Sequence, residues 1–346
     1  DRRNHGAEPD GIGTLVDGLV PDEEPAGMDL GKRVFGNIGT FAKLGSATAP
    51  LSNWLAGSGP ARAAMDRWAG IDRRRELPAF QRETLRGWFA NRASIPAKTS
   101  VDGEPREAVL FPDTYTNYIE VERGKAAVRA LEALGVDVAM APVTESGRAP
   151  LSQGMVSTAT SRAQDVATEL EPYLDAGRDI VVIEPSDAAM FRGEYEKLLD
   201  EATAARLADN SYDVMEYVYG LLENGAELGA LQYGVGPVTY HSHCQQRTLG
   251  LDVYSEAVLE RLGYEVETTE AECCGMAGSF GYKSEYYELS QAVGDSLAGE
   301  VGELDAETGE DRQVVASGTS CLEQLDDLLD RPATHPVELV APDPNR

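Results

Sequence analysis

The chain has 346 residues, of which 42% are hydrophobic, enough to bury the cores of two domains and an extension. Its 59 acidic and 30 basic residues give a formal net charge of -29. Nucleic acid is therefore excluded as a main partner, because phosphate contacts need patches of Lys and Arg. Such a charge, spread along the whole chain, is typical of a halophilic protein, in which salt screens the self-repulsion. An acidic protein from an ordinary salt environment is the alternative.

Two features of the sequence bear on its compartment. No apolar run approaches the ~20 residues that span a bilayer, and no signal peptide follows Asp1. The four Cys are too few for a secreted disulfide scaffold, so a reducing compartment is favoured. We therefore expect a cytoplasmic protein. The chain does not begin with Met, and we expect either a fragment of a longer protein or a separate subunit.

Residues 1–100 predict a helical joining segment that packs against a neighbouring domain. Its stretch 11–27 is acidic and punctuated by Gly and Pro, which predicts a loop. The stretch 93–107 is expected to be a linker for the same reason. Short helices are expected over 33–42, 50–55, 60–70 and in a stretch that ends near 89. These helices contain all three Trp of the chain, Trp54, Trp68 and Trp88.

The rest of the chain predicts two similar halves, which we place at 101–232 and 233–346. Each half gives a strand, a helix ended by Gly (Gly135 or Gly263), a second strand, a further helix and a third strand. The predicted elements are 109–111, 124–134, 136–138 and 180–183, then 238–240, 252–262, 264–266 and 314–316. This internal repeat implies two tandem α/β domains with parallel sheets. The acidic run 302–311 is expected to be a solvated loop before the last strand.

All four Cys lie in the second half, and each follows a predicted strand. Cys244 follows the first strand of this half, the pair Cys273-Cys274 the second, and Cys321 the third. Loops after the carboxyl ends of parallel strands converge on one rim of a sheet, so the four thiols are expected to meet. Gly275, directly after the pair, allows the backbone to approach a bound group closely.

Four convergent thiols predict a metal centre. As thiolates they satisfy a [4Fe–4S] or [2Fe–2S] cluster, and they equally satisfy a tetrahedral Zn²⁺. Buried structural or redox-active thiols are a further alternative. We favour the iron–sulfur interpretation, because every Cys of the chain falls at such a loop and a disulfide between the adjacent Cys273 and Cys274 would be strained.

The pattern Cys244 … Cys273-Cys274-Gly275 … Cys321 resembles the cysteine-rich CCG domain of the heterodisulfide reductase superfamily. Within it, the chain is similar to the C-terminal iron–sulfur part of FAD-linked D-lactate dehydrogenase and glycolate oxidase-type proteins. The second resemblance is to the cysteine-rich subunit of anaerobic glycerol-3-phosphate dehydrogenases, which would dock at the membrane. Further similarity to these proteins lies in the segments 33–37, 51–55, 111–118 and 281–287.

The resemblance implies that Cys244, Cys273, Cys274 and Cys321 bind one iron–sulfur cluster, expected to be [4Fe–4S], beside Gly275. It implies an electron-transfer module that passes electrons from FAD, held by an upstream domain or a partner, to a quinone or another acceptor. The partners are then a flavin-containing dehydrogenase domain or subunit and a ferredoxin-like domain, with peripheral docking at the inner face of the membrane as a further option. The parent enzyme would oxidise a 2-hydroxy acid such as D-lactate. A zinc-stabilised interaction scaffold without a redox role is the alternative from another class.

The chain departs from the family pattern in two ways. Gln324 stands where the wider family often has a second Cys three residues after Cys321, so four ligands remain. The first half has no Cys, and we expect it to be structural or a docking surface. Aligning the halves puts Tyr115 opposite Cys244, Glu145-Ser146 opposite the Cys pair, and Asp187 opposite Cys321.

Several polar residues near these positions have two interpretations. His241 and His243 flank Cys244 and are expected to fix the loop; the alternatives are a hydrogen bond to the sulfur of a cluster and a role as an alternative metal ligand. Glu145 and Asp187 are expected to be solvated surface charges, with a carboxylate metal site as the alternative.

Overall fold

Two parallel β-sheets organise the chain in a computed structural model, which describes Met28 and residues 30–92, 106–309 and 312–343. The predicted acidic loop 11–27 and most of the predicted linker 93–107 lie outside the described residues. The last two residues of that linker were wrongly placed, because Arg106 and Glu107 begin the first strand and pair with Val136 and Asp137.

The first sheet contains four strands in the order β2-β1-β3-β4, and all of its neighbours are parallel. Its strands are β1 (Arg106–Phe111), β2 (Val136–Met140), β3 (Asp179–Val182) and β4 (Ser211–Asp213). The second sheet is parallel in the order β6-β5-β7. Its strands are β5 (Gly236–His241), β6 (Tyr264–Thr268) and β7 (Gln313–Ala316).

The two sheets repeat one arrangement, in which the first strand of each half lies between the second and the third. The register repeats as well, since Phe111 pairs with Val182 in one sheet and His241 with Ala316 in the other. The predicted fold class, tandem α/β with parallel sheets, is thereby confirmed. Strand β4 was not predicted, because its three residues are too few to show a period-two pattern.

The helices of the joining segment are short. They are α1 (Leu30–Gly36), α2 (Ile38–Thr48), α3 (Leu51–Ala56), α4 (Gly59–Ala64), which continues into a π-turn (Met65–Ala69), and α5 (Leu85–Asn91). Leu85 of α5 is fully buried against the first half, whereas Trp54 of α3 is 71% exposed. No helix among the described residues is both long and apolar enough to cross a membrane.

The remaining helices connect the strands and cover the sheets. In the first half they are α6 (Thr114–Tyr118), α7 (Val121–Ala133), α8 (Arg148–Ser152), α9 (Val156–Asp175), α10 (Pro185–Arg192), α11 (Glu201–Asp209) and α12 (Val214–Glu223). In the second half they are α13 (Cys244–Thr248), α14 (Asp252–Arg261), α15 (Tyr287–Thr308), α16 (Thr319–Leu328) and α17 (Pro336–Val340). Gly135 and Gly263 follow α7 and α14 with φ of 91° and 98°, the left-handed geometry that the helix ends require.

The acidic run 302–311 was wrongly predicted as a loop, since α15 continues to Thr308. Leu297 and Val301 of this helix are buried against the second sheet, whereas Glu303 and Glu307 near its end are exposed. One buried stripe is sufficient to hold an acidic helix in place, because the charged side chains point to solvent.

The hydrophobic core is divided among three clusters. The largest joins the two halves, with Leu110 and Val181 of the first sheet and Tyr240 and Val315 of the second. A second cluster lies on the other face of the first sheet. The third lies on the other face of the second sheet and includes Cys274 and Cys321 together with Met276 and Leu297. Two of the predicted ligands are therefore part of a packed core.

Candidate metal centre

The four cysteines lie at the carboxyl ends of the three strands of the second sheet, as predicted. Cys244 is the first residue of α13, after β5, and Cys321 is the third residue of α16, after β7. The pair Cys273-Cys274 lies in the loop between β6 and α15. All four are free thiols.

The thiols form a series of neighbours. The hydrogen bond from Cys274 and burial raise the pKa of Cys273 well above its usual range. Cys273 lowers the pKa of Cys274, but the contact with Cys321 and burial outweigh this effect and raise it to about 12. Burial, followed by the nearby Cys273, raises the pKa of Cys244. Because a thiolate is the form that binds metal, these thiols need a compensating cation to lose their protons together.

The exposure of the cysteines changes across the series. Cys274 and Cys321 are buried, Cys273 is half-buried and Cys244 is exposed. In the described part of the chain, no three His, Cys, Asp or Glu side chains form a group that could hold a metal ion as they stand. That all four cysteines hold one cluster therefore stays a prediction.

In the loop after the Cys pair, the backbone lies close to its neighbours. Gly275 has φ of 88°, and a Cβ on it would overlap the carbonyl oxygen of Ser290 on α15. Its N–H donates to Cys273 Sγ over 3.4 Å. Ala277 has φ of 42° and is the one non-glycine residue with positive φ among the described residues, so the loop is held in a strained conformation. The donor set of free thiols, with a backbone N–H already directed at one sulfur, fits a thiolate-ligated cluster.

The two histidines beside Cys244 have different roles. His243 caps α13, and its Nδ1 accepts from the N–H of Gln245 at 3.2 Å, so it fixes the loop as expected. His241 ends β5 and is 1% exposed, with Nδ1 lying 2.8 Å from Thr269 Oγ1. Its Nε2 is buried and has no hydrogen-bond partner among the described residues.

Gln324 lies one helical turn after Cys321, at the position where the wider family often has another Cys. It is fully buried, and its Nε2 donates to the carbonyl of Ser290 on α15 at 3.1 Å. The side chain also packs against Gly294, where a Cβ would overlap it. Gln324 therefore joins α16 to α15 behind the Cys loop.

The first half has a rim with the same construction and no thiol. Gly147 has φ of 91° and faces Ala159 of α9, just as Gly275 faces Ser290. Ser146 therefore occupies the place of Cys274. Equivalent registers of β3 and β7 put Asp187 at the place of Cys321, in agreement with the sequence alignment.

The expected equivalence of Tyr115 and Cys244 is wrong by one residue. Asp113 caps α6 by accepting from Tyr115 N–H at 2.8 Å, and His243 caps α13 by accepting from Gln245 N–H. The equivalent of Cys244 is therefore Thr114, the first residue of α6.

Ser146 and Asp187 form a hydrogen bond at the place where Cys274 and Cys321 meet in the second half. The expectation that Asp187 is solvated was wrong, since it is buried, and burial followed by the nearby Asp113 raises its pKa well above the usual range. Burial followed by Glu184 raises the pKa of Asp113 to about 6. Glu145 is partly exposed and pairs with Arg162 at 2.9 Å, as a surface charge would.

The rim of the first half contacts the Cys-bearing half. Glu184 Oε2 accepts from the N–H of Thr319, the first residue of α16, at 3.0 Å, and Arg123 donates to the hydroxyl of the same Thr over 3.0 Å. Sequence reasoning did not identify these residues, because no local pattern shows that a carboxylate in one half caps a helix in the other.

Comparison with known proteins shows which family and which proteins the chain is similar to. Residues 238–326 match the family described as "Cysteine-rich domain", CCG. The chain is 26% identical to a subunit of anaerobic glycerol-3-phosphate dehydrogenase from Escherichia coli (strain K12) over 336 residues, which is 95% of this chain and 81% of that protein. It is 27% identical over 254 residues to D-2-hydroxyglutarate dehydrogenase of Pseudomonas putida, covering 72% of this chain and 24% of that protein. It is also 28% identical over 184 residues to lactate utilization protein A of Anoxybacillus flavithermus, covering 50% of this chain and 74% of that protein.

The match begins in β5, ends in α16 and includes all four cysteines. The chain spans about a quarter of the hydroxyglutarate dehydrogenase and most of the glycerol-3-phosphate dehydrogenase subunit. Residues 238–326 therefore match the cysteine-rich CCG domain, and the chain is similar to subunits and domains of dehydrogenases.

Proposed function

We propose that the chain is the iron–sulfur electron-transfer module of a FAD-linked dehydrogenase of 2-hydroxy acids. The observation that carries the proposal is the series of four free thiols at one rim of a CCG domain, with the strained loop of Gly275 behind it. A carrier can pass electrons from flavin to a separate acceptor, and a thiolate-held [4Fe–4S] cluster supplies one-electron transfer when it is bound.

The residues of the chain divide this task among them. Cys244, Cys273, Cys274 and Cys321 hold the cluster, and Gly275 supplies a backbone N–H to the sulfur of Cys273. Since Cys274 and Cys321 are buried and Cys244 is exposed, these residues would hold the cluster between the core and the surface. This placement suits electron exchange with a partner, because transfer needs a short path through protein.

The proposal includes the setting of the module. FAD lies on an upstream domain or a partner subunit, and a ferredoxin-like domain and a quinone or other acceptor complete the path. The chain consists of a joining segment (1–100), a repeat without cluster (101–232) and a repeat with the cluster site (233–346). We infer a cytoplasmic protein adapted to high salt. If the acceptor is a quinone, the protein also contacts the inner face of the membrane.

A second candidate is the corresponding subunit of an anaerobic glycerol-3-phosphate dehydrogenase. It is favoured by the extent of the match, which covers 95% of this chain and 81% of the Escherichia coli subunit. Both candidates assign the same role to the four cysteines and differ in the substrate of the flavin-bearing partner. Reduction of the assembled enzyme by D-2-hydroxy acids or by glycerol 3-phosphate distinguishes them.

Metal analysis of the anaerobically purified chain tests the cluster. We expect iron and acid-labile sulfide in equal amounts and a visible absorbance that dithionite bleaches. Cys274→Ser should lose most of the iron, whereas Ser146→Ala, at the equivalent place in the first half, should keep it. Zinc without sulfide would instead support an interaction scaffold and refute the proposal.

The relay role is tested in the assembled dehydrogenase. Cys273→Ser should abolish electron transfer to the terminal acceptor, while reduction of FAD by substrate in a single turnover survives. The reason is that hydride transfer to flavin needs a base and a hydride acceptor beside the substrate, and neither depends on this thiol. If flavin reduction fell equally in a variant with FAD still bound, the assignment as a relay would be wrong.

A further inference from the structure

The imidazole of His241 has one ring nitrogen that the protein leaves unpaired. Nδ1 lies 2.8 Å from the hydroxyl of Thr269, which follows β6, whereas the buried Nε2 has no hydrogen-bond partner among the described residues. The residue is 1% exposed, so bulk water does not satisfy it. Leaving a buried polar group unpaired is costly, and such a group in a native protein indicates a ligand or a bound water.

The position of His241 on its strand directs the ring to the face that carries the thiols. Tyr240 belongs to the core between the two halves, so the next residue of β5 points to the opposite face. Ala316, the register partner of His241, lies on that face together with Cys274 and Cys321. His241 is therefore on the same side of the sheet as the two buried cysteines.

The surroundings of the ring favour a neutral imidazole with a single N–H. Burial, followed by the charge of Arg247 and the proximity of His243, lowers the pKa of His241 to about 3. When the Thr269 hydroxyl donates to Nδ1, the proton of the neutral ring is on Nε2. The unpaired atom is then a donor, and the sulfurs of an iron–sulfur cluster are acceptors.

We propose that His241 is a positioning residue of the metal centre, which donates a hydrogen bond from Nε2 to a sulfur of the cluster, with Thr269 setting the tautomer. This inference rests on the proposed function. Hydrogen bonds to cluster sulfur raise the reduction potential, because they stabilise the additional negative charge of the reduced state. His241 thus favours acceptance of an electron by the module.

Anaerobic redox titration of the purified chain, with the His241→Phe variant, tests this role. We expect His241→Phe to keep its iron and sulfide and to have a lower reduction potential, with the equilibrium ratio of reduced to oxidised cluster changed about tenfold, or about 59 mV for one electron. His241→Gln, which keeps an N–H donor, should recover part of the shift. The control is Thr239→Val, on the same face of β5, where the hydroxyl accepts from Arg312 over 3.1 Å and the potential should not change.

A second measurement observes the hydrogen bond directly. Pulsed EPR of the reduced protein, labelled with ¹⁵N-histidine, should show a weak nitrogen coupling that His241→Phe removes. If His241→Phe does not fold, His241→Leu replaces it, because Leu also removes the N–H donor and has a volume close to that of His, and it should lower the potential in the same direction.

Three results separate the possible failures. An unchanged potential in a variant with an intact cluster would overturn the inference. A strong nitrogen coupling from a directly bound imidazole, together with loss of iron in His241→Phe, would also overturn it. His241 would then be a ligand of the cluster. A wild-type protein that contains no iron or sulfide refutes the proposed function itself, before any variant is compared.

Discussion

We predict that the buried side chain of Arg75 holds the joining segment on the Cys-bearing half. Its guanidinium is fully buried and donates to the carbonyl of Gly281 at 2.9 Å and to the hydroxyl of Ser290 at 2.7 Å. It also pairs with Asp327 on α16 at 2.7 Å. These partners belong to the loop after the Cys pair and to the two helices that enclose it, α15 and α16. The replacement Arg75→Met keeps most of the volume and removes all three interactions.

The expected loss of stability follows from the nature of each partner. The carbonyl of Gly281 and the hydroxyl of Ser290 are buried and neutral, so each lost hydrogen bond costs about 1 kcal/mol. Removing one member of a fully buried ion pair costs about 3–5 kcal/mol, but Asp327 is 22% exposed and keeps a bond from Gln291, so the pair contributes less here. We therefore expect a loss of about 3 kcal/mol for Arg75→Met.

Arg74→Met provides a matched control at the adjacent position. Arg74 is 49% exposed and pairs with Asp72 at 2.8 Å and with the exposed Glu288 at 2.6 Å. Solvent screens the pair with Glu288, and the buried Asp72 keeps the hydrogen bond from the Arg74 N–H, so removing the Arg74 side chain should cost clearly less stability than removing that of Arg75. The same substitution at neighbouring residues thus separates the buried interactions from a general effect of losing an Arg.

Urea denaturation followed by circular dichroism measures the difference. The free energy of unfolding falls by about 1–3 kcal/mol per M urea, so the unfolding midpoint of Arg75→Met should lie about 1 M or more below that of Arg74→Met. Hydrogen exchange should also become faster in residues 276–284, where the joining segment contacts the Cys loop through the bond from Asp72 N–H to the Tyr282 carbonyl, 2.8 Å long. Equal midpoints for the two variants would show that Arg75 does not hold the segment, and the reasoning would be refuted.

Three further predictions concern the two rims and their helices. Cys321→Ser should lower the iron content, whereas Asp187→Asn, at the equivalent place in the first half, should leave it unchanged in the same metal analysis. Burial raises the pKa of Asp213 to about 7, so the folded protein holds this proton more tightly than the unfolded chain, with its pKa of about 3.9. The stability of wild type relative to Asp213→Asn, measured in urea from pH 4 to 8, should therefore fall as pH rises through this window. Gly275→Ala should lower the melting temperature more than Gly278→Ala, since both have positive φ but only the first Cβ would overlap backbone; equal losses would contradict this.

The sequence patterns predicted the sheets and their order of elements because the signals are local. Val136–Met140 and Tyr264–Thr268 each follow a helix and a Gly with positive φ, and this unit is visible without knowledge of the fold. The prediction of a loop for the acidic run was wrong over 302–308, because an acidic stretch is typical both of a solvated loop and of a helix with one buried stripe. Only the packing of residues such as Val301 distinguishes the two.

The prediction of the candidate site was right in part, like that of the fold. Its errors have a related cause. The rule that loops converge at strand ends predicted positions after the three strands, where the structure has the four cysteines, and their shared cluster stays a prediction. The alignment of Tyr115 with Cys244 was wrong by one residue because the two helix caps are different residue types, Asp113 and His243, with the same acceptor geometry. Burial of Asp187 could not be predicted, since its partner Ser146 lies in another loop and the sequence alone suggests a solvated charge.

The first half has no Cys, and its rim is filled by a different set of polar side chains. At the two places equivalent to Cys274 and Cys321, Ser146 and Asp187 bind each other, so the loss of thiols leaves no unpaired polar group at these two places of the described core. The same rim provides Glu184, whose carboxylate caps the helix that carries Cys321. Because a carboxylate at a helix N-terminus is stabilised by the unpaired N–H groups there, the first half orients the helix of the second half that carries Cys321. The repeat without Cys therefore supports the Cys-bearing repeat, and its acidic rim is part of the framework of the proposed metal centre.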